Sequence, residues 1–74
     1  MEDSQGYEYI HMSWAGPSKS GKTQVYTVYN SRSGERIGTV KWFGRWRQYT
    51  FFPDVDSVYS AGCLRDVADF IKSL

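Results

Sequence analysis

The stretch TQVYTVYNSRSGERIGTVKWFGRWRQYTFFP, residues 23–53, decides the fold. Its first eight residues are dense in Val, Thr and Tyr, side chains that suit a pleated, half-buried surface, so they read as a strand. SRSGE follows as a turn, with Gly34 free to take the positive φ that such a connection needs. RIGTVKWF, residues 36–43, is a second strand. Gly44 with Arg45 reverses the chain again. WRQYTFF, residues 46–52, is a third strand that Pro53 ends, because proline has no N–H to give to a ladder. Connections this short join antiparallel neighbours, so the spacing predicts a meander of three strands.

Downstream of the Asp-rich DVDSV, the segment SAGCLRDVADFIKSL carries Leu64, Val67, Ala68, Ile71 and Leu74 at the recurrence of one helical face. Arg65, Asp66, Asp69 and Lys72 fall on the other face. Ser60 is the candidate N-cap, and Gly62 weakens the first turn. The expected fold is therefore α+β: a three-stranded antiparallel meander packed on one C-terminal helix. Upstream, YEYIHMSW at residues 7–14 alternates loosely and is a candidate extra edge strand. Residues 15–22 read as a loop and residues 1–6 as a polar, mobile end. The organisation that follows is a weakly structured extension over residues 1–22 and a single domain over residues 23–74.

A chain of 74 residues holds one small domain, whose stability has to come from a dense core. Three Trp, six Tyr and four Phe supply it, since rings bury more apolar area than aliphatic side chains. The net charge of +1 is uninformative while pooled, but its order is not. Arg32, Arg36, Lys41, Arg45 and Arg47 face one acid, Glu35, over residues 32–47; residues 54–74 hold four Asp against Arg65 and Lys72. The middle is basic and the end acidic. The single Cys63 rules out an internal disulfide and favours a reducing compartment. With no long apolar run and no signal-like start, the reading is a soluble protein of the cytoplasm, with no membrane partner.

GPSKSGKT, residues 16–23, matches the phosphate-loop pattern G-x-x-x-x-G-K-[ST] without a mismatch. That chemistry needs a buried strand before the glycines and a helix beginning at the Lys, whose N-terminal N–H groups face the phosphates. Here QVYTVY follows Lys22, a run of strand formers, and the chain is too short for a nucleotide-binding α/β sheet. A loop that happens to spell the motif is the better account, and no cofactor is expected. One His (His11) and one Cys (Cys63) cannot make a zinc site, and Cys63 lacks an identified base. Its plainer reading is a small residue where helix meets sheet. Asp54 and Asp56 are spaced like the start of a calcium loop without its later ligands. No metal and no enzymatic activity are expected.

The densest signal is KWFGRWRQYTFFP, residues 41–53, in which six rings interleave with Lys41, Arg45 and Arg47. Alternation puts Trp46, Gln48, Thr50 and Phe52 on one face of the third strand and Arg47, Tyr49 and Phe51 on the other. A single helix covers only one face, so some rings stay exposed beside basic side chains. Such a surface fits phosphates and bases, or a protein interface, where Trp, Tyr and Arg are enriched. The plainer alternative is that the rings are core and the Arg stems cover them.

At this block and at AGCLRDVADFI, residues 61–71, the chain resembles a family of small phage, prophage and bacterial proteins. Their signature is W-x-G-x-W-R-Q-Y-x-F-F-P followed by a short helix. The signature positions here are Trp42, Gly44, Trp46, Arg47, Gln48, Tyr49, Phe51, Phe52 and Pro53. The resemblance covers residues 23–74 and implies a bacterial host cell, but carries no activity with it. The strand–strand–strand–helix order is also similar to the DNA-binding domains of the plant ethylene-response type and the arm-binding domains of some phage integrases. That likeness implies phosphate or base contacts from Arg36, Lys41, Arg45 and Arg47, with Trp42 or Trp46 on the sugar backbone. A net charge of only +1 weighs against it. The expected function is nucleic-acid binding without catalysis, through Arg36, Lys41, Trp42, Arg45, Trp46, Arg47 and Tyr49. The rival is an inhibitor or adaptor binding a host protein through the same surface.

Overall fold

The computed structural model describes residues 4–74; of the mobile end expected over residues 1–6, residues 1–3 lie outside these, and residues 4–6 are corrected to a short strand held by backbone pairing to residues 11–13. The elements are β1 (Ser4–Gly6), β2 (Ile10–Pro17), β3 (Gln24–Asn30), β4 (Arg36–Phe43), β5 (Gln48–Pro53) and α1 (Ala61–Lys72). The strands form one antiparallel sheet in the order β1-β2-β3-β4-β5. The α+β class, the antiparallel order and the single C-terminal helix agree with the sequence reading. The strand number does not: beside the three-residue β1, four full strands make the sheet where three were expected.

The added strand is β2, which lies between β1 and β3 and so is not an edge. Ile10 and Met12 point to the core and are wholly buried. The expected boundary at Thr23 is corrected accordingly, because residues 10–17 are integral to the sheet. Only these two of the strand's eight side chains are buried, with Trp14 on the same face left exposed. That is why the alternation looked weak in the sequence.

The connections follow from local chemistry. Asn30 accepts from the Arg32 and Ser33 amides through Oδ1, and Gly34 takes φ 77° to close the β3–β4 turn. After β4, the Phe43 carbonyl accepts from the amides of Trp46 and Arg47, and Arg47 itself sits at φ 56°. This tight loop uses up residues 44–47. The third strand of the meander therefore starts at Gln48, two residues later than expected, and Trp46 and Arg47 belong to the loop. A bulge between Val28 and Tyr29, opposite Ile37, lets Ile37 join Gly38 and Val40 in the buried set.

Ile10, Met12, Val28, Ile37 and Val40 from the sheet meet Cys63, Val67 and Phe70 from α1 to form the core. Phe70 is the centre of this packing, edge-on to both Tyr7 and Tyr26. Burial of such a ring contributes roughly 1.5–3 kcal/mol. The helix is turned relative to its expected phase. Cys63, Asp66, Val67 and Phe70 face inward, whereas Leu64 and Ala68 are exposed. The physical reason is size, since seating Phe70 under the sheet buries more surface than seating Leu64. Asp66 is carried inward with it and is satisfied by the Tyr9 amide, 2.9 Å from Oδ2. Gly62 keeps the first turn close to the Tyr9 ring, where a Cβ would meet ring carbons at 2.5 Å. Ser60 caps the helix by accepting from the Cys63 amide at 3.2 Å, as its position in the sequence suggested.

Candidate nucleic-acid interface

The loop that spells a phosphate motif is a hairpin connection. Ser18 donates its amide to the Thr23 carbonyl, Gly21 donates to the Ser18 carbonyl, and the Thr23 hydroxyl donates to Ser18 Oγ at 2.9 Å. Gly16 and Pro17 lie within β2, and the residues after Lys22 form β3. A shallow cleft of about 470 Å³ opens at the start of α1, between Tyr9, Arg32, Tyr59 and Cys63. Among the described residues, no histidine or carboxylate lines it beside Cys63. Cys63 itself is buried in the core, as a small residue between helix and sheet.

Among the described residues, the one helix packs on one face of the sheet and leaves the opposite face uncovered. The register assigns side chains to the two faces. Met12, Val28 and Gly38 are cross-strand partners, as are Trp14, Tyr26, Val40 and Phe51; this is the helix side. Ser13, Thr27, Thr39 and Phe52 form one row on the open side, and His11, Tyr29 and Arg36 form another. Lys41 and Thr50 pair on the open side too, as do Phe43 and Gln48. The helix thus covers the face of Tyr49 and Phe51.

This parity separates the seven candidate residues into three groups. Arg36 and Lys41 project from the open face. Arg45, Trp46 and Arg47 ride on the β4–β5 loop beside it, and Trp46 is 60% exposed. Trp42 and Tyr49 project from the helix side, edge to face with ring centroids 5.5 Å apart, so these two do not join the others. Tyr49 is committed to the fold: its hydroxyl accepts from the Gln24 amide at 3.1 Å. Arg36 is engaged as well, with Nε 3.1 Å from Asp54 Oδ2, at the far end of β4 from the loop.

What remains is a corner built from Lys41, Arg45, Arg47, Phe43, Trp46 and Phe52. Phe43 stands between two perpendicular neighbours, Trp46 at 5.0 Å and Phe52 at 5.9 Å. The Lys41 ammonium lies over the Phe52 ring, 4.7 Å from its centroid. No carboxylate occurs between Glu35 and Asp54 in the chain, so the strands and loop that build this corner bring cations and rings and no acid. Across the same face, His11 and Tyr29 stack almost in parallel, with centroids 5.0 Å apart. Phe43, Phe52, Tyr29 and His11 were not among the expected site residues. The signal that could have found them is Gly38. It marks the helix side, onto which the Phe51 ring folds, so Lys41, Phe43 and Phe52, at the opposite parity, fall on the open face.

Among the described residues, no group of three His, Cys, Asp or Glu is placed to hold a metal, and no helix is long and apolar enough to cross a membrane. The five-stranded sheet departs in strand number from the three-stranded DNA-binding domains to which the sequence was likened. No protein-family model matches the chain, and no solved structure matches it. It is similar to an uncharacterized 9.3 kDa protein of Acholeplasma phage L2, with 26% identity over 74 residues that make up the whole of this chain and 90% of that one. The likeness is thus to a small phage-type protein over the full length, including residues 1–22, which lie outside the resemblance expected over residues 23–74.

Proposed function

We propose that the protein is a small phage-type accessory protein that binds nucleic acid, without catalysis, in the cytoplasm of a bacterial host. The observation that carries this reading is the corner where the exposed Trp46, flanked in the chain by Arg45 and Arg47, packs on Phe43 beside Phe52 and its Lys41, with no carboxylate from the same strands. Cations neutralise phosphates, while rings beside them take up sugars or bases. The test is a titration of labelled single-stranded and duplex DNA at two salt concentrations, with an Arg45→Ala, Arg47→Ala variant alongside. Binding that falls steeply with salt, and falls further in the variant, supports it. Absence of binding to either DNA at low salt overturns it.

A second reading rests on the other face. Trp14 and Trp42 are 47% and 41% exposed on the helix side, where Trp14 is held by a bond from its Nε1 to Gln24 at 2.8 Å. Exposed, oriented Trp side chains are typical anchors of protein interfaces. On this reading the protein is an inhibitor or adaptor of a host complex. Its binding would be lost in a Trp14→Ala, Trp42→Ala variant and would depend little on salt.

A further inference from the structure

The shape of the open face and its few cations point to one class of nucleic acid. We infer that the site takes a single strand, DNA or RNA, by stacking unpaired bases on Phe52 and Trp46 while Lys41 leaves the Phe52 ring for a phosphate. This rests on the nucleic-acid reading above and narrows it.

Three observations lead there. The first is width: five strands spaced about 4.8 Å apart span about 19 Å, whereas the major groove of B-DNA is about 12 Å wide. The open face as a whole is therefore wider than a duplex groove, although it can lie under a flexible strand. The second is charge. Among the described residues, Lys41, Arg45 and Arg47 are the cations that this end of the β4–β5 hairpin brings, and the chain as a whole is +1. A duplex carries one phosphate per 1.7 Å or so and is held mainly by neutralising several of them. Three cations with three clustered rings suit a ligand whose affinity comes largely from stacking.

The third is the state of the Phe52 ring. Lys41 is exposed, so the ring face beneath its ammonium is the one turned to solvent. A cation–π contact at an exposed site is weak. An incoming strand offers the ammonium a phosphate and the ring a base, so both partners of the existing contact gain at once. Tyr29, already stacked with His11 on the same face, provides a planar platform for a further base. Bases in a duplex are stacked on each other and have no free face to offer, so this exchange is open only to unpaired nucleotides.

The experiment is fluorescence anisotropy with labelled oligodeoxythymidine and oligouridine of about twelve nucleotides, within the range of site sizes of small sheet-based binders, and a duplex of similar length. The wild-type protein is compared with Phe52→Leu, Phe52→Trp, Trp46→Ala and Lys41→Gln, each checked for folding by its melting curve. The inference expects at least one single strand to bind tenfold or more tighter than the duplex. Phe52→Leu and Trp46→Ala should each weaken it roughly five- to 150-fold with the salt slope unchanged, while Phe52→Trp retains binding. Lys41→Gln should flatten the log–log salt slope by about 0.7. Trp46 is so exposed that its truncation reports on binding even if Phe52→Leu fails to fold. Duplex binding as tight as single-strand binding, or single-strand affinity indifferent to both ring truncations, overturns this inference and leaves the broader one standing. No binding to any of the three probes removes both.

Discussion

Substituting Gly38 by Ala should destabilise the protein, although alanine is the better strand residue. Gly38 is buried in β4, and the Phe51 ring of β5 folds over it. A Cβ built there would meet Phe51 Cε1 at 2.5 Å and Cζ at 2.6 Å, and the Phe52 carbonyl oxygen at 2.7 Å. The ring has little room to yield, since it is packed edge to face with Tyr59 at 5.6 Å, and the carbonyl is backbone of the paired strand. Overpacking costs about 1–3 kcal/mol, and a clash with paired backbone as well as with a ring belongs in the upper half of that range, about 2–3 kcal/mol. Relief of the conformational freedom of glycine returns about 0.5–1 kcal/mol, which leaves a loss of about 1–2.5 kcal/mol. In a domain of this size that lowers the melting temperature by about 4–20 °C. Thermal unfolding followed by circular dichroism measures it. A double-mutant cycle with Phe51→Leu should show coupling of at least about 0.5 kcal/mol, because the smaller side chain makes room for the methyl group. A Gly38→Ala protein as stable as the wild type, or more so, would refute the assigned packing of β5 on β4.

Other substitutions probe separate parts of the account. Phe70→Ala removes the ring at the centre of the core and should cost about 3–5 kcal/mol, enough to leave much of the protein unfolded at 37 °C by urea titration. Asp66→Ala strands the Tyr9 amide and should cost about 1–3 kcal/mol, whereas Asp66→Asn keeps an acceptor and should recover most of that loss; urea midpoints separate the two. Arg47→Gly relieves a left-handed residue that is not glycine and should leave stability unchanged or raise it by up to about 1 kcal/mol. The same change should weaken DNA binding, so stability and affinity move in opposite directions.

The meander, its turns and its capped helix were legible because each has a local cause. Val and Thr density made β3 and β4, Gly34 closed a turn, Pro53 ended β5 and Ser60 opened α1. What was not legible depended on contacts between distant residues. β2 went unrecognised as a core strand since only Ile10 and Met12 are buried in it, and their partners lie on β3 and α1. The phase of α1 was misjudged because Phe70 gains its burial from Tyr7 and Tyr26, so Asp66 turns inward to the Tyr9 amide against its own polarity. The candidate site suffered most from parity. The β4–β5 loop absorbs Trp46 and Arg47, so counting a strand from Trp46 could not locate the loop. The face covered by the helix then decided that Trp42 and Tyr49 part from Lys41, and that Phe43 and Phe52 join it.

The most direct test of the central claim is a map of amide chemical-shift changes as a single-stranded oligonucleotide is added to the isotope-labelled protein. The account predicts changes concentrated at Thr39, Lys41, Phe43, Arg45, Trp46, Thr50 and Phe52, on the open face and its adjoining loop. Changes centred instead on Trp14, Gln24 and Trp42, or none at low salt, would contradict it.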